Sequence, residues 1–223
     1  AGSSVLDLGC GNGELLSKLI RQKGVQGLGI EKDFDRVAQT IARGVPVIHS
    51  DLDDGLSGLP DHFFDYVILE KTLQAVQRPL FVLEEMLRVG SDGIVSFPNF
   101  GHSQVVFSLF STGKMPVTKN LPYQWYDTPN IHLFTAKDFL DWAGANNVRI
   151  EKGFSWNGRD IVPFNEEESA SAEEVLFVVS RSGVITDVDL RCSCMITWNL
   201  QRTDVQIMPL FLESLFKLTL LGF

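Results

Sequence analysis

Short apolar runs alternate with helix-spaced apolar stripes along most of the chain, the pattern of a mostly parallel sheet covered on both faces. Ser4 to Leu8 predicts a first strand. Gly13 opens a helix in which Leu15, Leu16, Leu19 and Ile20 share one face. Val25 to Ile30 predicts the second strand. Asp33 can cap the next helix, where Phe34, Val37, Ala38, Ile41 and Ala42 keep helical spacing up to a stop at Gly44. Val45 to His49 and Tyr66 to Leu69 predict the third and fourth strands. Pro79 suits the first position of a helix whose stripe includes Leu83, Met86 and Leu87 and which stops at Gly90. Ile94 to Phe97 is the fifth strand, ended by Pro98.

From Pro98 to Thr135 aromatics and prolines interrupt any single period, so this stretch is not expected to be regular throughout. Thr135 and Asp138 have the spacing of a capping box, opening a helix with Phe139, Leu140 and Ala143 on one face. Val148 to Ile150 and Val175 to Val179 predict two closing strands, separated by an acidic loop at Glu166 to Glu168. The pattern therefore predicts a doubly wound, Rossmann-like α/β domain over residues 1–182, with a seven-stranded, mostly parallel sheet. Residues 183–223 break the rhythm and read as a separate tail, with Glu213 and Lys217 one helical turn apart in an otherwise apolar end.

Composition narrows the function classes. A chain of 223 residues can bury a sizeable single core, and 44% hydrophobic with 21% charged residues is ordinary for a globular protein. A formal charge of −9 argues against a nucleic-acid partner, whose phosphates need clustered Lys and Arg. Cys10, Cys192 and Cys194 cannot build a disulfide framework or a zinc site of paired Cys-x-x-Cys motifs, so no metal is expected and a reducing, cytoplasmic setting is. The opening Ala-Gly-Ser-Ser without Met predicts a chain truncated at its N-terminus. No run is long and uncharged enough to predict a membrane span.

The chemistry concentrates where the first strand meets its helix, at Val5-Leu6-Asp7-Leu8-Gly9-Cys10-Gly11-Asn12-Gly13. Glycines there allow a tight turn and let a ligand approach backbone amides that a Cβ would shield. A dinucleotide fingerprint counted from Gly9 would place its third glycine where Glu14 stands, which ranks a nicotinamide cofactor behind other readings. The spacing is Asp-x-Gly-x-Gly-x-Gly, and Asp7 favours a cationic ligand over a pyrophosphate. S-adenosylmethionine carries both an ammonium and a sulfonium. Glu31 ends the second strand and can accept both ribose hydroxyls. Asp51, after the third strand, can take the adenine amino group with Leu52 beside the ring, and Glu70 ends the fourth strand where adenosine and the transferred methyl have their neighbours. Tyr66 and Val67 read as core, and Cys10 as a small buried hydrophobe.

These four elements resemble the motif series of class I S-adenosylmethionine-dependent methyltransferases. The resemblance extends to the MetW family of methionine-biosynthesis proteins through Glu70 to Ala75, Ser96-Phe97-Pro98-Asn99-Phe100-Gly101-His102, Met115 to Lys119, and the specific block Leu121-Pro122-Tyr123-Gln124-Trp125-Tyr126-Asp127-Thr128-Pro129-Asn130-Ile131-His132-Leu133. It covers about Ser4 to Ser180. Membership implies S-adenosylmethionine as cofactor, a last strand running antiparallel, and a homoserine O-acyltransferase as partner. It implies either methyl transfer to a small-molecule acceptor or a non-catalytic, cofactor-sensing subunit that regulates the acyltransferase. The chain departs from the family at Asn12, where Asp is usual, and at Ser103, Gln104, Val105 and Val106, where Trp and Arg residues are usual. Tyr126 and His132, flanking Asp127, are the candidate catalytic groups, while His102 reads as a structural hydrogen bonder.

Overall fold

The computed structural model describes residues 2–181, so the expected tail, with Cys192 and Cys194, lies outside the described residues. Thirteen strands and α-helices follow in the order β1 (Ser4–Leu8), α1 (Glu14–Lys23), β2 (Gln26–Glu31), α2 (Phe34–Ala42), β3 (Val47–His49), β4 (Phe64–Glu70), α3 (Pro79–Val89), β5 (Gly90–Pro98), α4 (Ser103–Thr112), α5 (Ala136–Ala145), β6 (Val148–Trp156), β7 (Ile161–Pro163) and β8 (Glu174–Arg181). One sheet orders them β3-β2-β1-β4-β5-β8-β6-β7. β1 to β5 are parallel, and β8 inserts antiparallel between β5 and β6. The chain reverses its direction of growth between β1 and β4, which makes their C-terminal ends the switch point where such sheets bind ligands.

The sheet has two apolar faces because successive strand residues point to opposite sides. Leu6 and Leu8 of β1 enter the cluster under α3 and α5, whereas Val5 enters the one under α1. β8 divides in the same way, with Val175, Phe177 and Val179 on the first face and Leu176 and Val178 on the second. Phe177 is fully buried and stacks on Phe139 at 5.4 Å. Burying a ring of that size contributes about 1.5–3 kcal/mol.

Local signals hold where the side chains carry their own partners. Asp33 accepts from the Arg36 amide, Pro79 starts α3, and Thr135 and Asp138 form a complete capping box. Four expectations need correction. The sheet has eight strands, because β6 runs on past Ile150 to Trp156 and β7 adds a three-residue edge to it. α4 forms a ten-residue helix inside the stretch expected to be irregular; of its apolar residues only Val105 is buried, while Val106, Phe107, Leu109 and Phe110 are exposed. The stripe on α2 is not a core face: Val37 and Thr40 are buried, while Phe34 and Ile41 are 71% and 61% exposed. β5 begins at Gly90, the expected stop of α3, four residues before the expected Ile94; a Cβ on Gly90 would meet Val67 Cγ2 at 2.5 Å.

Candidate active site

The glycine loop leaves β1 in a run of left-handed backbone. Gly9, Gly11 and Gly13 have φ of 76°, 57° and 74°, a region L side chains enter only under strain. A Cβ on Gly9 would meet Thr72 Oγ1 at 2.7 Å, and one on Gly13 would meet Thr40 Cγ2 at 2.7 Å. Gly11 differs, since nothing lies within 4 Å of the corresponding point. Gly9 and Gly13 are thus glycine for packing and conformation, and Gly11 faces open space beside its own amide.

Thr40 Oγ1 donates to the Gly11 carbonyl at 2.9 Å, and the Glu31 carboxylate accepts from the Gly11 amide at 2.9 Å. The other oxygen of Glu31 accepts from the Lys32 and Asp33 amides at 3.0 and 2.9 Å. The strand-end acid is therefore buried and structurally engaged, tying the glycine loop to the start of α2. Asn12 also has a local job, its Oδ1 accepting from the Glu14 amide at 3.2 Å.

Three acids meet at this edge. Burial raises the Asp7 carboxyl well above the usual carboxylate range, with Glu70 and then Glu31 adding repulsion. Glu70 is pushed up to about 7, chiefly by burial, with Lys71 opposing and Glu174 reinforcing the rise. An edge that resists its own negative charge is one that a bound cation would relieve. Cys10 is buried, and burial with the nearby Asp7 and Glu31 charges pushes its thiol up to about 12, which leaves it a protonated, inert side chain.

Asp51 lies at the same rim, where it accepts from the Asp53 amide at 3.1 Å and stands 3.6 Å from Lys32 Nζ. The Leu52 side chain is turned into the core, 7% exposed. Tyr66 and Val67 are core, as their places on β4 predict. Tyr126 and His132 are placed very differently. Tyr126 is 70% exposed, in edge contact with Trp125 at 5.6 Å. His132 is half-buried; its amide donates to the Gln74 carbonyl at 3.0 Å, and its ring Nε2 is buried without a hydrogen-bond partner among the described residues. Gln74 in turn donates its side-chain amide to the Lys71 carbonyl at 2.6 Å, so His132 rests on the turn that follows Glu70.

Sequence reasoning missed the other half of this edge. Lys71, at a positive φ of 48°, reaches Glu174 at 3.0 Å, and Glu174 is fully buried at the start of β8. Burial raises the Glu174 carboxyl and Lys71 lowers it again. No periodicity announces a pair separated by 103 positions; only the insertion of β8 beside β5 brings them together. Among the described residues no group of three or more His, Cys, Asp or Glu side chains could hold a metal ion.

The family described as methionine biosynthesis protein MetW matches residues 1–179. The chain belongs to that family. The bifunctional methionine biosynthesis protein MetXA/MetW of Rhodopirellula baltica is 40% identical over 178 residues, covering 74% of this chain and 29% of that relative. The demethylmenaquinone methyltransferase of Shouchella clausii is 28% identical over 167 residues, covering 70% of this chain and 61% of its own. The chain thus spans less than two thirds of the length of either curated relative. Among solved structures, a SAM-dependent methyltransferase of Thermotoga maritima, described as a possible histamine N-methyltransferase, superposes with a TM-score of 0.61 at 16% identity, covering 82% of this chain and 83% of that one. An S-adenosylmethionine dependent methyltransferase of Mesorhizobium loti gives a TM-score of 0.57 at 19% identity, over 81% and 92% of the two chains. At these identities the likeness is one of fold, and this MetW chain has the Rossmann-like fold of those methyltransferases.

Proposed function

We propose that this MetW-family chain binds S-adenosylmethionine at the glycine-loop edge and acts as a methyltransferase on a small acceptor in methionine biosynthesis, in a reducing, cytoplasmic setting. The observation that carries this reading is the open space at Gly11, at a sheet edge where burial holds Asp7 of β1 and Glu70 of β4 above their usual pKa. A dinucleotide pyrophosphate would add negative charge there; a sulfonium and an ammonium offset it. Asp7 and Glu70 would face the charged end of the cofactor, with the Gly9, Gly11 and Gly13 backbone beneath it. Glu31 would take a ribose hydroxyl on the lone pair its three amide donors leave free, and Asp51 would border the adenine.

The bound cofactor supplies a methyl group on a positively charged sulfur, open to direct displacement. Holding an acceptor in line suffices for such a step, without a strong general base. That suits a site whose buried His132 Nε2 can orient an acceptor and whose Tyr126 stands on the surface. Titration with S-adenosylmethionine and with NAD tests the cofactor: saturable binding of the first alone is expected, and preference for NAD refutes the reading. Transfer of labelled methyl groups to a metabolite extract then tests turnover.

A homoserine O-acyltransferase is the proposed partner. In the Rhodopirellula baltica relative a MetXA and a MetW function share one name and one chain. Here Phe107 and Phe110 of α4 and Trp125 and Tyr126 of the loop after it are 70%, 88%, 76% and 70% exposed, aromatic side chains of the kind that anchor interfaces.

A further inference from the structure

A cavity lies on the far side of β5 from the glycine loop, between the start of α4, residues 118–121, the end of β6 and the start of β8. Its volume is about 210 Å³, room for roughly seven waters at the ~30 Å³ each occupies in the liquid. β1 and β8 are separated by β4 and β5, so three strand spacings, roughly 14 Å, divide this cavity from the glycine loop.

Its frame is built for the purpose of holding one carboxylate. Glu173 is fixed through its backbone, donating to the Trp156 carbonyl at 2.8 Å and accepting from the Asn99 amide at 2.9 Å. Gly158, at φ 88°, leaves room for the acid: a Cβ there would stand 2.5 Å from Glu173 Oε1. Asn120 donates its amide nitrogen to Glu173 Oε2 at 2.6 Å. That bond settles which way the amide points, so Asn120 Oδ1 must be the free end, and it is buried without a hydrogen-bond partner among the described residues. The imidazole of His102 lines the same cavity, held below the usual histidine pKa by burial against the opposing pull of Glu173, so it too can accept a hydrogen bond at neutral pH. Glu173, Asn120 and His102 thus each bring an acceptor to the residues that line this one cavity. Trp156, 7% exposed, forms an apolar wall, and Lys119 stands exposed at the rim.

We propose that this cavity binds a small free α-amino acid, with its ammonium between Glu173, Asn120 Oδ1 and the His102 ring and its carboxylate at Lys119. An ammonium has three N–H donors, one for each of Glu173, Asn120 Oδ1 and the His102 ring. An isolated anion would meet Glu173, and a neutral apolar molecule would leave Asn120 Oδ1 without a partner. A side chain of a few carbons fits the remaining volume beside Trp156 and Val105. The site does not depend on the cofactor reading, because no residue of the glycine loop takes part.

Calorimetric titration of the full chain, without cofactor, with L-norvaline, n-butylamine and pentanoate tests the idea, since the three share one alkyl chain. L-norvaline should bind saturably, n-butylamine roughly tenfold more weakly for want of the Lys119 contact, and pentanoate not at all. Glu173→Gln should weaken L-norvaline at least tenfold and leave S-adenosylmethionine titration unchanged. Should Glu173→Gln fail to fold, Asn120→Ala, which keeps the carboxylate, should still weaken L-norvaline several-fold. No binding of L-norvaline, equal or better binding of pentanoate, or unaltered affinity in the folded variants overturns the proposal. Failure of the cofactor titration alone leaves it standing.

Discussion

Replacing Glu31 separates its two jobs. Its carboxylate is buried and already accepts three amides, of Gly11, Lys32 and Asp33, at 2.9–3.0 Å. Glu31→Ala removes the acceptor from all three. All three of these bonds are part-buried, so water replaces the lost acceptor only in part. Leaving one such donor unsatisfied costs about 1–3 kcal/mol of stability. The proposed ribose bond, being charge-assisted, adds about 2–3 kcal/mol to binding, roughly a thirty- to 150-fold effect. Glu31→Gln keeps one carbonyl oxygen, removes the charge and changes little volume, so its stability loss should be the smaller of the two while its binding loss remains at least tenfold. Denaturant unfolding gives the first quantity and calorimetric titration with S-adenosylmethionine the second. If Glu31→Gln remains folded and binds the cofactor with unchanged affinity, Glu31 is a loop brace and does not touch the ribose.

The pH dependence follows from the sign of the Glu70 shift. A carboxyl raised from 4.5 to about 7 favours folding while protonated, and this contribution is present below pH 4.5 and is lost as pH rises through 7. A cationic cofactor needs the ionised form, so its affinity should rise up to tenfold per pH unit below 7 and then level, with Asp7 acting in the same sense; an affinity flat from pH 5.5 to 8, or an unchanged profile in Glu70→Gln, refutes this. Trp125→Ala and Phe110→Ala should each weaken association with a homoserine O-acyltransferase about tenfold or more in a pull-down titration, without altering cofactor affinity; undiminished association excludes this surface. A chain ended after Gly183 should keep its cooperative unfolding transition and its cofactor titration, because the described sheet is complete at Arg181; loss of the transition would mean the domain extends beyond residue 182.

What the sequence determined by itself is whatever short-range chemistry encodes. The Asp33 cap, the Pro79 start and the Thr135–Asp138 box each consist of neighbours within three residues, and each is present. The glycine loop is equally local: three alternating glycines after a buried strand can take the left-handed backbone found at Gly9, Gly11 and Gly13, and the acid that braces them ends the very next strand. Burial was legible in strands that lie between two layers, as in β1, β4 and β8, and on the stripes of α1, α3 and α5, which pack against the sheet. On α2 and α4 the same apolar letters face solvent, because helical spacing says which residues share a side but not whether anything is packed against it. β7 was invisible for a related reason: a three-residue edge acquires its identity from β6, its pairing partner. The pairing of half-buried Lys71 with buried Glu174 and the Glu173–Asn120–His102 cavity belong wholly to the tertiary structure. Their members come from segments that no sequence period relates, and only the insertion of β8 between β5 and β6 puts one desolvated carboxylate beside Lys71 and the next beside Asn120.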